Sequence, residues 1–281
     1  MGVRIRHSLL VLALIYGARE AYAQQPLSAR TTSDAKVLAV NIALGGLTAG
    51  VWRVVTRKPL VGGLVRGAAA GAVVYAGKKI IAEETPLAWW GGRQIAAIGS
   101  SEVSNAAERL PILQRVVLPL GPIRIHFDRL ASRKIMPRLD ALQSVAIVAF
   151  AIHPATRFSA KESFATGAVV FVNESEKFDG YHAAGVVSLT DVLTERFFLP
   201  CKRTILSHEL IHAAQYDFTF TAWSDATQSA ISRRVRSVGF ITRFMDLNFT
   251  LPMPYVANRL IKYEDRPWEI EAYSLVSEKA C

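Results

Sequence analysis

Ser207-His208-Glu209-Leu210-Ile211-His212-Ala213-Ala214 is the stretch on which the reading of this chain turns. Two histidines four residues apart project from one face of an α-helix and can both offer an imidazole nitrogen to a tetrahedral metal. Glu209 follows the first histidine and reaches a metal-bound water without being a ligand itself. There it can take a proton as water attacks a carbonyl and pass it to a leaving amine. Zinc (Zn2+) suits such a site because it polarises the carbonyl and lowers the pKa of bound water towards about 7 without redox chemistry. Ile205 and Leu206 before the string, and Ala213 and Ala214 after it, are uncharged and free of proline and glycine. That flank predicts a helix buried in a core; the competing reading is a surface helix with solvated His and Glu.

A third ligand has to come from elsewhere, since no histidine stands three or six residues beyond His212. The downstream run Glu264-Asp265-Arg266-Pro267-Trp268-Glu269-Ile270-Glu271-Ala272-Tyr273 supplies carboxylates. Asp265 and Pro267 are helix-start signals. Trp268, Ala272, Leu275 and Val276 then make an apolar face able to pack against the HExxH helix. Glu269 and Glu271 flank that face on opposite sides, and periodicity does not choose between them. Both also suit an acidic first helical turn without any metal.

The two strings together resemble the gluzincin branch of zinc metallopeptidases, in which a second helix supplies a glutamate as third ligand. Where that branch carries E-x-x-A-D, the first Glu binds zinc, which the resemblance places at Glu269, with Glu271 as the alternative. Tyr273 stands where an Asp often stands, a departure that touches the partner of a metal ligand. The wider string from His208 to Gln215 is also similar to the metallopeptidase-like core domain associated with extracellular contractile injection systems. The resemblance covers residues 204–216 and 264–276. It implies a zincin-like α+β domain that hydrolyses a peptide or protein substrate.

Outward from these strings, the 281 residues carry a net charge of +10 and are 51% hydrophobic, with a mean hydropathy of +0.23. This excludes a disordered or collagen-like chain. The charge is unevenly placed: +2 in residues 1–23, +7 in residues 35–82 and +1 in residues 83–281. Nucleic acid is therefore not an expected partner. Residues 1–23 read as a secretory signal, with Arg4 and Arg6, an apolar run and Ala21-Tyr22-Ala23, and predict export to a periplasmic or extracellular site. Cys201 and Cys281 could then form one disulfide or be unrelated thiols.

Residues 24–36 read as a linker. Residues 37–82 read as a glycine-rich basic helical hairpin, with Gly46 and Gly50 facing Gly63, Gly67 and Gly71 at helical spacing. Membrane contact through this hairpin is favoured over burial in a soluble fold, because the seven cations of residues 35–82, without an acid, suit an anionic lipid surface. Residues 83–110 read as a helical connector and residues 111–281 as the metallopeptidase domain, α+β with strands first and helices after.

Within that domain Arg115–Leu118 and Ile123–Phe127 predict a strand pair. Gly167–Asn173 or Gly185–Leu189 is expected to form the edge strand on which an extended peptide lies. His182, Tyr216, Tyr263 and Tyr273 are the candidate donors to an oxyanion. Tyr216, Phe218, Phe220 and Trp223 read more readily as core than as a substrate groove.

Overall fold

The structure is a computed structural model that describes residues 31–174, 180–191, 199–232, 235–248 and 260–276. The predicted signal sequence, most of the predicted linker, and Cys281 with the expected pairing to Cys201 lie outside the described residues. The protein is mixed α+β: a layer of long N-terminal helices is followed by two four-stranded sheets and then by the helices that carry the HExxH and Glu269 strings.

Helices α1 (Asp34–Val55) and α2 (Leu60–Ile81) form the expected hairpin. The helix begins at Asp34, so the predicted linker ends three residues early. A Cβ on Gly45 would stand 2.2 Å from the Gly67 carbonyl oxygen, and one on Gly71 2.1 Å from that of Asn41. Only glycine lets the two backbones approach this closely. Helix α3 (Pro86–Glu108), expected as a connector, instead extends the same device. A Cβ on Gly77 of α2 would stand 2.6 Å from the Gly92 carbonyl oxygen, and one on Gly99 2.7 Å from the Val74 nitrogen of α2. The hairpin is thus two thirds of a three-helix layer.

Strands β1 (Arg115–Leu120), β2 (Ile123–Asp128) and β3 (Ile135–Asp140) make an antiparallel meander, with β8 (Met245–Asp246) added parallel to β3. Between the sheets lies α4 (Ala141–Ala151). The second sheet has the order β4-β5-β7-β6, with β4 Thr156–Phe158, β5 Val169–Asn173, β6 Gly180–Ala183 and β7 Val186–Thr190. A short helix, α5 (Ala160–Thr166), links β4 to β5. The two runs expected at an edge, β5 and β7, are the central parallel pair, and every residue of both is buried. Unbroken apolar runs suit strands covered on both faces. The edges are β4 and β6.

Helix α6 (Leu199–Thr219) carries HExxH and continues into one π-helical turn, Phe220–Ser224. Then come α7 (Asp225–Ser232), α8 (Arg236–Ile241) and, after a 3-10 turn at Tyr263–Asp265, α9 (Pro267–Leu275). One core joins all layers: Leu206, Leu210, Ile211 and Ala214 of α6 meet Ala272 and Leu275 of α9, Val170 and Val187 of the sheet, and Val37, Ile81 and Trp89 of the helical layer. Phe220 is buried under the Arg124 guanidinium, and Trp223 lies 5.8 Å from Trp52. These aromatics are core.

The +7 of the hairpin is largely spent inside the protein. Arg53, Lys58 and Arg66 donate to the carbonyls of Ala106, Glu108 and Leu110 at 2.8, 2.8 and 2.7 Å. They cap the carbonyl end of α3, where the helix dipole favours cations. Arg66 also pairs with Glu102, Lys79 with Asp34, and Lys78 with Glu271. Five of the seven cations therefore have partners within the fold, which removes the reason for assigning them to anionic lipid.

Candidate metal centre

Two helices build the site. Helix α6 is held in place by Ser207, whose hydroxyl accepts from Trp89 Nε1 at 2.8 Å and donates to the Ile81 carbonyl at 3.1 Å. One residue on, His208 and His212 face α9, whose first turn starts at Pro267 and delivers Glu269. The three donor atoms form a small triangle. His208 Nε2 and His212 Nε2 are 3.0 Å apart, and Glu269 Oε2 lies 3.3 Å from the first and 3.2 Å from the second. Atoms so spaced share a common point about 2 Å from each, the bond length zinc makes to nitrogen and oxygen. All three residues are nearly closed off from solvent.

The atoms behind the triangle fit the same reading. His212 Nδ1 meets Gln215 Oε1 at 2.7 Å, so Nδ1–H donates and Nε2 keeps its lone pair for a metal. Glu269 Oε2 also accepts from the Tyr263 hydroxyl at 2.9 Å, and Tyr263 and Tyr273 are joined at 3.2 Å. The Tyr273 ring lies 4.3 Å from the His208 ring. Two imidazoles and one carboxylate are a donor set whose chemistry would suit a zinc ion.

Charge is concentrated here. Burial disfavours the charged form of His212, but the adjoining Glu269 outweighs it and lifts the imidazole to about 9. Burial likewise opposes ionisation of Glu269, yet the His212 charge and hydrogen bonds from both histidines hold its carboxyl well below the usual range. His208 is pushed down, chiefly by burial. Without a metal the site therefore holds a proton between His212 and Glu269, and a bound dication would displace it.

Burial, with Glu269 adding and His212 opposing, raises Glu209 to about 8. Its carboxylate lies against Gly180 of edge strand β6, where a Cβ would stand 3.2 Å from Glu209 Oε1 and 2.7 Å from Ile205. Glycine at this position is what lets the strand lie beside the carboxylate.

The remaining expected residues separate. Glu271 does not join the triangle. It accepts from Lys78 Nζ at 2.8 and 2.9 Å, from Asn41 Nδ2 at 2.6 Å and from Gln215 Nε2 at 2.8 Å, all on the other side of α9. The Tyr216 hydroxyl is engaged away from the triangle. It donates to Asp140, within a buried cluster in which Arg124 pairs with Asp140 and Asp217, and Arg93 with Asp217. His182 does lie at the site, its ring 6.3 Å from that of His212. Burial, then the charges of His212 and Arg93, keep it neutral. Its Nε2 accepts the Gly185 N–H, leaving Nδ1–H as a free donor type. Tyr273 is adjacent through His208 and Tyr263.

Sequence reasoning assigned no role to Gln215, Lys78 or Asn41. Gln215 stands three residues past His212, one helical turn on, and that spacing was the available signal. Lys78 and Asn41 come from the hairpin and carried none. A cleft of about 710 Å3 lined by Arg115, His126, Arg138, Arg236 and Arg243 lies over the first sheet and shares no residue with the triangle. No family model, curated protein or solved structure matches the chain.

Proposed function

We propose that this protein is an exported zinc metallopeptidase of gluzincin type, with a zincin-like core and His208, His212 and Glu269 as the zinc ligands. The observation that carries the reading is the triangle of donor atoms at 3.0, 3.2 and 3.3 Å, assembled from helices 57 residues apart in sequence. Zinc bound there would supply Lewis acidity and an acidified water. The chain's own residues supply the rest. Glu209 takes a proton from the attacking water and returns it to the leaving amine. A nearby dication favours the ionised form that this base needs, against the burial that raises its pKa. Tyr263 holds Glu269 in position by donating to Oε2. His182, neutral and beside His212, is the donor best placed to meet a developing oxyanion. Strand β6, the last strand of its sheet among the described residues, runs along the Glu209 side of the site, where an extended peptide would lie beside the carboxylate.

The test compares three proteins for bound zinc and for cleavage of a mixed fluorogenic peptide library. Wild type should carry one zinc per chain and cleave. Glu209→Gln should keep zinc and lose activity by at least about 100-fold. His208→Ala should lose both. Wild type without zinc overturns the metal site. Equal cleavage by Glu209→Gln overturns the mechanism. Zinc without cleavage in any arm assigns the protein instead to zinc-binding envelope scaffolds.

A further inference from the structure

Helices α1 and α2 present an outer face unlike that of an ordinary surface helix. From Val37 to Val55, and again from Leu60 to Ala76, every exposed residue is Ala, Val, Leu or Gly. Val40, Leu44, Leu47 and Val51 form a ridge on α1 at alternating spacings of four and three, and Val61 and Val65 form a second ridge on α2. Leu47 is 58% exposed, Val61 70% and Val65 65%. At ~1.5 Å per residue each 22-residue helix is ~33 Å long, so the face is far larger than the scattered apolar residues of a soluble surface.

Its composition identifies the occupant. Interfaces between proteins concentrate aromatic residues, Met and Arg at their centre and carry polar rims and hydrogen bonds. This face contains none of these along its length. Aliphatic side chains without a polar partner are what hydrocarbon requires. Cations appear only at the ends: Lys36 at the start of α1, and Arg57 at the turn between the helices, both exposed. There they would meet headgroup phosphates.

We propose that this face rests in the interfacial region of a lipid bilayer, with the protein lying on the membrane rather than crossing it. Both helices are backed along their length by α3, and behind their apolar side lie Arg66, Glu102, Ser100 and Asn105. Helix α3 is in turn packed on β1 and α6. A spanning arrangement would carry a strand and the metal helix into hydrocarbon, where their polar groups have no partners. Since five hairpin cations already have partners within the fold, attachment is driven by apolar burial, to a depth of about 5–10 Å. The inference does not depend on the metal reading.

The test is flotation of the full chain with vesicles of phosphatidylcholine alone. Wild type should float with these uncharged vesicles. Leu44→Glu/Leu47→Glu/Val51→Glu should bind at least tenfold more weakly, while far-UV circular dichroism stays that of wild type. In a second measurement, Leu47→Cys carrying an environment-sensitive fluorophore should be quenched by brominated acyl chains, and Asp128→Cys on the opposite side of the layer should not. Any of three results overturns the proposal: wild type that floats only with anionic vesicles, equal flotation of a folded triple variant, or no quenching at position 47. A lipid-free dimer dissociated by the triple variant would overturn it too, showing that a second copy covers the face. Unchanged flotation of zinc-free His208→Ala is expected whatever becomes of the metal site.

Discussion

Replacing Lys78 by Met tests whether the helical hairpin is part of the metal centre. Lys78 is only 4% exposed and its partner Glu271 12%. In the wild type Glu271 accepts four hydrogen bonds: two from Lys78, one from Asn41 and one from Gln215. The carboxyl is held below its ordinary pKa, against burial, by the charge and hydrogen bonds of Lys78 first and by Asn41 and Gln215 after. Removing Lys78 leaves a buried carboxylate with two neutral donors, which costs about 3 kcal/mol, the lower end for breaking a buried pair. Gln215 bridges Glu271 to His212, so the loss should also loosen the imidazole that would bind zinc. Partners of metal ligands are typically worth 10- to 100-fold in affinity, and Gln215→Ala should fall in that range. Lys78→Met, one bond further back, should cost tenfold or less. Urea denaturation of the zinc-free proteins measures the first effect, and competition with a chromophoric chelator the second. Adding Glu271→Gln to Lys78→Met removes the stranded charge and should restore part of the stability. Lys78→Met as stable as wild type at neutral pH, or Gln215→Ala with unaltered zinc affinity, would refute the reasoning.

The glycine contacts divide sharply by position. Gly45→Ala drives a methyl into the facing Gly67 carbonyl and should cost about 3 kcal/mol, whereas Gly91→Ala, with nothing within 4 Å, should gain ~0.5–1 kcal/mol in the same denaturation assay. Equal effects at the two sites would show that α1 and α2 are not in backbone contact. Asp246 is buried, which favours its neutral form, but the His126 hydrogen bond and charge, with Arg138 and Arg124, hold its pKa below 3.8. Its contribution is therefore present above the unfolded value and lost as pH falls from about 4 through the folded value. Asp246→Asn should be about 3 kcal/mol less stable at pH 7 and should show a flatter acid limb between pH 4 and 2, read from urea midpoints at each pH. A parallel shift of the whole curve would assign acid sensitivity elsewhere.

What could be read from sequence was what is local. The two histidines four apart, and Pro267 opening a helix with Ala272 and Leu275 on its inner face, are patterns complete within one element. The glycines four apart announced the α1–α2 contact for the same reason. Helix α3 escaped because Gly77 and Gly92 lie on different helices, and neither sequence run marks the other as its partner. The central position of β5 was legible but misjudged: five consecutive buried residues, Val169 to Asn173, describe a covered strand better than an edge.

Choosing between Glu269 and Glu271 needed long-range information. The two carboxylates share a helix, a turn and nearly the same neighbours in sequence. Lys78 separates them, from 193 residues away, by neutralising one and leaving the other to the histidines. The same residue shows why a charge total cannot locate a partner. Counted along the chain, the hairpin's cations suggested attraction to anionic lipid. Placed in the fold, three cap the carbonyl end of α3, one pairs with Asp34 and one holds Glu271 behind the proposed metal ligands. With most of these charges paired within the fold, valines and leucines dominate what α1 and α2 leave outside along their length. The hairpin therefore has two sides, one that braces His212 through Glu271 and Gln215 and one whose exposed valines and leucines the proposed bilayer contact would cover.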